Sequence, residues 1–365
     1  MRVDTPVGVV TARAYTIPTD APEADGTYAW RETTLVTATI EAGGQTGLGY
    51  TYAPAATAAL IAGALADALR GQSVFDIPCC HRSMLNAVRN MGRSGIAATA
   101  ISALDAGLWD LKAKLLAMPV AALLGRARAS VPVYGSGGFT SYDDAQLTRQ
   151  LAGWVEREGC RAVKMKIGSH PEDDARRVRA AKEAIGDASL FVDANGAYSV
   201  KKALAMAAVF AADAQVAWFE EPVSSDDLDG MMQVRAAAPP CMDIAAGEYS
   251  YHSDDVRRML TKRAVDVQQV DASRCLGITG FLQAAALCDA HHIDLSGHCA
   301  PALHLHVACA APRLRHLEWF HDHVRIEQML FDGAPIAKRG AIEPDLSRPG
   351  LGLELRRQDA ERFAV

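Results

Sequence analysis

From Val131 onward, short apolar runs alternate with helix-like stretches, one pair about every 25–30 residues. The runs are VPVYGSGGF, AVKMKIG, LFVDANGAY, AWFEEPV, MDIAAGEY, VDVQQVDA, IDLSGHCAP and LRHLEWFHD. They are apolar at nearly every position rather than at alternate ones, the pattern of parallel strands buried on both faces. Between them, DAQLTRQLAGWVEREG, PEDDARRVRAAKEAIG and GITGFLQAAALCDAHH carry the helical period. Eight β-α units of this kind predict a closed parallel barrel wrapped by helices. The helix after the eighth run is expected to be short or irregular.

The first part of the chain has a different texture. TPVGVVTARAYTI and ETTLVTATIEAGG predict strands, with turns expected at the Gly-Gly pair and at GLGY. The polar, Pro-rich segment PTDAPEADGTYAWR between them predicts a loop. ATAALIAGALADALRG predicts a helix stopped by Gly71, and GIAATAISALDAGLWDLKAKLLA a second helix ending before Pro119. These elements define an α+β domain over residues 1–125, followed by a barrel over 126–340. The tail, 341–365, is expected to end in a strand and a charged helix and to pack back on the first domain.

The chain has 365 residues, half of them hydrophobic, enough for two cores. A net charge of -6, from 37 basic and 43 acidic residues well mixed, argues against nucleic acid and membrane surfaces as partners. No apolar stretch approaches the length of a membrane span, and MRVDTPVGVV lacks the pattern of a secretory leader. The eight Cys, none in a C-x-x-C pair, sit mostly in apolar runs, which predicts a reducing cytoplasmic location without disulfides.

Chemistry concentrates at the C-terminal ends of the runs, where barrels build their active sites. Lys164 and Lys166 end the second run, Asp193 the third, Glu220 the fourth, Glu248 the fifth, Asp271 the sixth, His298 the seventh and Glu318 the eighth. Three carboxylates without thiolate or imidazole favour Mg²⁺. In a ring of eight, strand two opposes strand six and strand four opposes strand eight. The metal arc therefore lies between two bases, and Glu318 is expected to face the metal across a substrate. A proton α to a carboxylate is very weakly acidic, because its loss puts a second negative charge on that group; a cation beside it offsets that charge. Lys166 is expected to be neutral, its pKa lowered by Lys164 and the metal. Asp271 is expected to accept the Nδ1–H of His298, setting its tautomer and raising its basicity. Glu318 is expected to be protonated among the other acids.

With these residues in place, the chain resembles the enolase superfamily and, within it, the mandelate racemase subgroup. The resemblance rests on KMK, VDANGAY, WFEEP, AGE, the spacing of Asp271, His298 and Glu318, and AISALDAGLWDLKAKLLAMPVAALLGR in the first domain. It implies an α/β fold: a modified (β/α)7β TIM-type barrel with an α+β capping domain. It implies one Mg²⁺ held by Asp193, Glu220 and Glu248, with Lys166 and the His298–Asp271 dyad as the acid/base pair. Asn195 and Lys164 match residues that contact a substrate carboxylate or tune the base. Specificity loops are implied at Thr19–Arg31, which holds Tyr28 and Trp30, and at Gly49–Tyr52. Arg274, three past Asp271, is expected to face substrate or support the dyad.

Members with this Lys and His pair are dehydratases of acid sugars, or racemases and epimerases. Dehydration of an aldonate or aldarate is the leading expectation, ending in a 2-keto-3-deoxy acid. A racemase or epimerase of a 2-hydroxy or amino acid derivative would use the same bases. A barrel that binds metal and anion without turnover would lack a base or ligand, and none is lacking. A lactonising relative would carry a Lys on the sixth strand, where Asp271 and Arg274 stand. The partner is then a small-molecule carboxylate, and the family's habit of forming dimers or octamers implies self-association. Taken singly, each of these residues has an ordinary explanation as a helix cap, an ion pair or a packed imidazole; the ordered set points to the metal. His304 and His306 fall on an expected helix, where i and i+2 do not face each other, and are assigned to packing or surface.

Overall fold

The computed structural model describes residues 4–365. It opens with an antiparallel sheet of β1 (Val10–Ala24), β2 (Ala29–Ala42) and β3 (Gln45–Tyr52), in that order. Alternation sorts its two faces. Ala14, Val36, Ala38 and Ile40 pack with the helices of this domain, while Tyr15, Ile17, Leu35, Leu48 and Tyr50 join the core shared with the barrel. Those helices span residues 56–69, Ile77–Ala87 and Ile96–Leu115. Ile77–Ala87 is absent from the elements expected above; it carries Pro78 in its first turn and buries Ile77, Cys80 and Met84, a stripe too short to stand out as a period.

Two expectations fail in this domain. GLGY is the middle of β3, not a turn. The helix Ile96–Leu115 crosses β3 so closely that a Cβ on Gly49 would lie 2.0 Å from the Ala103 carbonyl oxygen, and one on Gly47 2.2 Å from that of Gly107. PTDAPEADGTYAWR is not a loop but the end of a long hairpin, because β1 runs through to Ala24 and β2 begins at Ala29. Pro18 and Pro22 are tolerated there because β1 is an edge strand. Pairing slips between Pro18 and Glu23, so Thr19–Pro22 bulge outward.

The barrel strands are β4 (Val131–Gly137), β5 (Ala162–Lys166), β6 (Ser189–Asp193), β7 (Trp218–Glu220), β8 (Asp243–Ala246), β9 (Val267–Val270), β10 (Asp294–Gly297) and β11 (Leu314–Phe320). They pair in chain order, all parallel, and β11 closes onto β4. Every expected run is a strand, and the eighth is followed directly by the ten-residue helix His321–Leu330. Tyr134, Phe191, Trp218, Ala245 and Val267 fill one interior layer. Because side chains alternate, the residue two places further along each strand also points inward, one layer nearer the C-terminal mouth. Ser136, Asp193, Glu220 and Gln269 occupy that layer.

The fold is a closed, eight-stranded parallel barrel with an N-terminal α+β capping domain. The tail returns to the capping sheet: Arg13 pairs with Glu361 at 3.2 Å, and the Val365 amide donates to the Ala14 carbonyl. Among the described residues, no helix is long and apolar enough to cross a membrane. A cavity of about 560 Å³ lies between the capping sheet and the tail, lined by Thr11, Arg13, Thr39 and Arg357, and is remote from the barrel mouth.

Candidate active site

β6 ends on Asp193, β7 on Glu220, and Glu248 follows β8, so three neighbouring strands deliver carboxylates to one point. One oxygen from each lies within 4.8 Å of the other two, and all three residues are buried. Gly247 makes the turn possible: its φ is +134°, and a Cβ there would lie 2.1 Å from the Gln269 carbonyl oxygen. Trp218 Nε1 and Gln269 Nε2 donate to Glu220 Oε2 at 2.9 and 3.0 Å, leaving Oε1 to Lys164 at 2.5 Å. The Asn195 amide donates to Asp193 Oδ1 at 2.9 Å.

Two bases flank the trio. Lys166 Nζ lies 2.6 Å from Asp193 Oδ2. On the other side, His298 Nε2 lies 3.2 Å from Glu248 Oε2, and its Nδ1 is 2.9 Å from Asp271 Oδ2. The Ser273 amide donates to the other Asp271 oxygen at 2.7 Å. Arg274 lies between ligand and dyad, 3.1 Å from Glu248 Oε1 and 3.6 Å from Asp271 Oδ2. Lys164 bridges the wall of the barrel, contacting Glu220, Glu318 at 2.8 Å and Asp193 at 3.3 Å. Glu318 also accepts from Ser136 Oγ at 2.6 Å and from the Cys299 amide at 3.0 Å.

These contacts bear on two electrostatic expectations. Burial and Lys164 disfavour a charged Lys166, but Asp193, with Glu248 and Glu220, holds its pKa above the ordinary value; a divalent cation held by the same carboxylates would offset that pull and leave Lys166 able to act as a base. Burial likewise opposes an ionised Glu318, but Lys164, then His298 and Lys166, hold it well below the usual carboxylate range. The shift of Glu318 runs opposite to the one expected. In each case the deciding charge stands on another strand. Burial also opposes a charged His298, yet Cys299, Glu248, Glu318 and the Asp271 hydrogen bond raise its pKa. Cys299 is itself held as a thiol by burial, so the carboxylates are the lasting cause.

The capping hairpin covers the mouth. Gly26 packs on the chain after β5 and β6, where a Cβ would lie 2.6 Å from the Ile167 oxygen and 2.3 Å from the Ala194 oxygen. Thr140 Oγ1 donates to the Asp25 carbonyl and Ser141 Oγ to that of Pro22. Trp30 packs edge-on against Phe139 at 5.5 Å and joins the cluster that contains Cys299 and Phe320. Tyr28 is not brought to the site: it stands at the hairpin tip, 69% exposed. His304 accepts from the Ala272 amide and His306 from the Ala121 amide, so both are packing residues. His323 is buried and stacked on Tyr52 at 3.4 Å. Gln269, Trp218 and Cys299 escaped the sequence reading. Gln269 and Trp218 stand two places before Asp271 and Glu220, so period-two counting back from the carboxylates would have found both. Cys299, next to His298 with Sγ 3.3 Å from Nε2, carries no such signal.

The trio suits a hard divalent cation. Burial and then Asp193 push Glu220 up to about 8, a sign that the cluster is short of positive charge. Glu248 Oε2 and Glu221 Oε1 are buried without a hydrogen-bond partner. The donors are all oxygen, the set that Mg²⁺ prefers. A barrel mouth with this trio between a lysine and an Asp–His pair belongs to the class that moves protons beside carboxylates. Residues 10–125 match the family model described as mandelate racemase / muconate lactonizing enzyme, N-terminal domain, and residues 146–360 the one described as enolase C-terminal domain-like. The chain belongs to this mandelate racemase / muconate lactonizing enzyme family of the enolase superfamily.

Among curated relatives, the L-talarate/galactarate dehydratase of Salmonella typhimurium is 35% identical over 79% of this chain and 73% of its own. The 3,6-anhydro-alpha-L-galactonate cycloisomerase of Streptomyces coelicolor is 33% identical over 96% and 97%. Among solved structures, a mandelate racemase/muconate lactonizing enzyme-like protein from Rubrobacter xylanophilus is 47% identical, with a TM-score of 0.96 over 99% of this chain and 100% of that one. A racemase from Streptomyces coelicolor A3(2), solved with bound magnesium, is 31% identical, with a TM-score of 0.92 over 98% and 100%.

Proposed function

We propose that this protein is a Mg²⁺-dependent hydro-lyase that removes water from a sugar acid and yields a 2-keto-3-deoxy acid. One observation carries the proposal. Lys166 and His298 touch different members of the carboxylate trio, Asp193 at 2.6 Å and Glu248 at 3.2 Å, so two bases bound one substrate position from opposite sides. Asp193, Glu220 and Glu248 are the residues that would hold the metal. Bound there, Mg²⁺ supplies Lewis-acid stabilisation of the charge that develops on a substrate carboxylate.

The chain's own residues do the rest. One base takes the α-proton, and the opposite group, protonated, gives its proton to the departing β-hydroxyl, which leaves as water. The enol that remains tautomerises to the keto acid. Asp271 keeps the His298 proton on Nδ1, so that Nε2 exchanges protons with substrate. Glu318 fixes Lys164, whose charge faces the developing anion. The hairpin excludes water, with Trp30 as its inner wall. Asn195, whose Oδ1 is buried without a partner, and Arg274 supply contacts to the substrate's polar groups.

The dehydratase and cycloisomerase relatives support the sugar-acid class. The opposed bases also fit epimerisation, in which a proton leaves one face and returns to the other; the racemase neighbour supports that second reading. We further assign the capping domain to 1–125, the barrel to 126–340 and the returning tail to 341–365. Eight free thiols support a cytoplasmic location, and self-association is part of the same proposal.

The test is incubation with Mg²⁺ and a panel of mono- and diacid sugars, with 2-keto-3-deoxy acids detected as semicarbazones. Lys166→Ala and His298→Asn are expected to abolish product formation; product undiminished in both sinks the assignment of the bases. A panel that yields no keto acid but exchanges α-hydrogen in D₂O replaces dehydration with epimerisation.

A further inference from the structure

A second cluster of acids and imidazole lies outside the site just described. Asp20 sits on the bulge of β1, Glu23 stands where pairing with β2 resumes, and His321 directly follows β11. Each brings one donor atom to within 4.8 Å of the others. The bulge aims Asp20, because residues lifted off a ladder are free to point away from it. His321 Nε2 lies 3.0 and 3.1 Å from the two Asp20 oxygens.

Glu23 makes this more than an ion pair. It is 1% exposed. Its Oε2 accepts from Trp30 Nε1 at 2.8 Å, while Oε1 is buried with no partner. A buried oxygen left in that condition costs about 1–3 kcal/mol. The neighbours offer little relief. Asp322 accepts from Thr33 and is paired with Arg325 at 2.5 Å, and Arg325 also donates to the Pro18 carbonyl. Burial, then Asp322 and Asp20, pushes the Glu23 carboxyl up to about 9, so the cluster is short of positive charge.

We propose that Asp20, Glu23 and His321 form a second divalent-cation site, which fastens the capping hairpin to the barrel rim. One imidazole and two carboxylates suit Zn²⁺ or Mn²⁺ better than Mg²⁺, which takes oxygen ligands. The site shares no residue with the Asp193–Glu220–Glu248 trio. The Asp20 and His321 side chains are 48% and 24% exposed, so an ion enters from solvent. Thr140 and Ser141 already hold the hairpin on the β4 side. A metal here holds it on the β11 side and makes opening of the mouth depend on a second ion.

The test uses the full chain, stripped of metal and returned to saturating Mg²⁺ so that the trio is occupied. Zn²⁺ is then titrated, and bound zinc per chain is counted by equilibrium dialysis. One Zn²⁺ per chain is expected, with affinity falling about tenfold or more in Glu23→Gln and in His321→Gln. Asp20→Asn, at a half-exposed position, is expected to behave alike and keeps the test open if a buried change disturbs folding. Cys299→Ser is the control, because His298, Cys299 and Glu318 also bring donors within 4.8 Å of one another. Wild-type protein that binds no zinc overturns the proposal. So does zinc retained in all three cluster variants, or zinc lost in Cys299→Ser. Mg²⁺-dependent thermal stabilisation, which reads the trio, is expected to persist in the cluster variants.

Discussion

Replacing Asp271 by Asn removes the charge on which His298 depends while keeping the shape of the side chain. Asp271 Oδ2 lies 2.9 Å from His298 Nδ1, and both residues are buried. Unit charges about 3 Å apart interact by about 5–6 kcal/mol at an effective dielectric near 20. A neutral hydrogen bond keeps roughly half the strength of a charge-assisted one, so the imidazolium loses about 3 kcal/mol, or about 100-fold in any step where His298 holds the proton. A second effect adds to this. The Ser273 amide donates to Asp271 Oδ1 at 2.7 Å and requires an acceptor there. The asparagine amide nitrogen then faces His298 and donates to Nδ1, which moves the imidazole proton to Nε2 and leaves no base on the substrate side. Together the two effects predict a fall in kcat of about 10³- to 10⁴-fold. The assay is keto-acid formation alongside α-hydrogen exchange catalysed from the Lys166 side in D₂O. Exchange is expected to fall less than about tenfold, and Mg²⁺ affinity less than about threefold, because neither Asp193 nor Lys166 touches the altered group. A kcat within about tenfold of wild type would refute the role of Nε2. A parallel loss of Mg²⁺ affinity would place Asp271 with the trio through Arg274 instead.

Chelation of Mg²⁺ is expected to abolish turnover and lower the thermal midpoint, since an ion at 100 times its Kd stabilises by about 2.7 kcal/mol; no recovery of Tm on adding Mg²⁺ back counts against the trio. Gly49→Ala forces a Cβ to within 2.0 Å of the Ala103 oxygen and is expected to cost about 1–3 kcal/mol in urea unfolding; an unchanged midpoint would mean that helix and strand separate freely. Glu327 accepts from Tyr50 Oη at 2.6 Å and from the Ala302 amide at 3.0 Å, and burial pushes its pKa from 4.5 up to about 8. Its folded pKa exceeds the unfolded one, so its contribution is fully present below about pH 4.5 and is lost as the pH rises toward 8. Wild type is expected to lose up to about 1.4 kcal/mol per pH unit relative to Glu327→Gln across that window; parallel stability profiles for the two proteins would show that Glu327 does not titrate there.

The barrel is legible in the chain because strands buried on both faces leave nearly unbroken apolar runs, and because the polar residue that ends each run stands out against them. The long hairpin is not legible. Proline on an edge strand looks like proline in a loop, and only the pairing of β1 with β2 distinguishes them. Gly47 and Gly49 mislead in the same way, since a glycine that admits a crossing helix is indistinguishable, in one dimension, from a glycine that makes a turn.

By itself, the sequence determined the count of barrel strands, the order of Lys166, Asp193, Glu220, Glu248, Asp271 and His298 around the ring, and their place at the C-terminal ends of the strands. These follow from the succession of apolar runs and the polar residues that end them, both properties of neighbouring positions. Only the tertiary structure decided that Lys164 pulls the Glu318 pKa down, that Tyr28 faces solvent, and that Asp20 and Glu23 meet His321. Those outcomes depend on distances between residues far apart in the chain, where Coulomb interactions and burial are set by which surfaces close on one another.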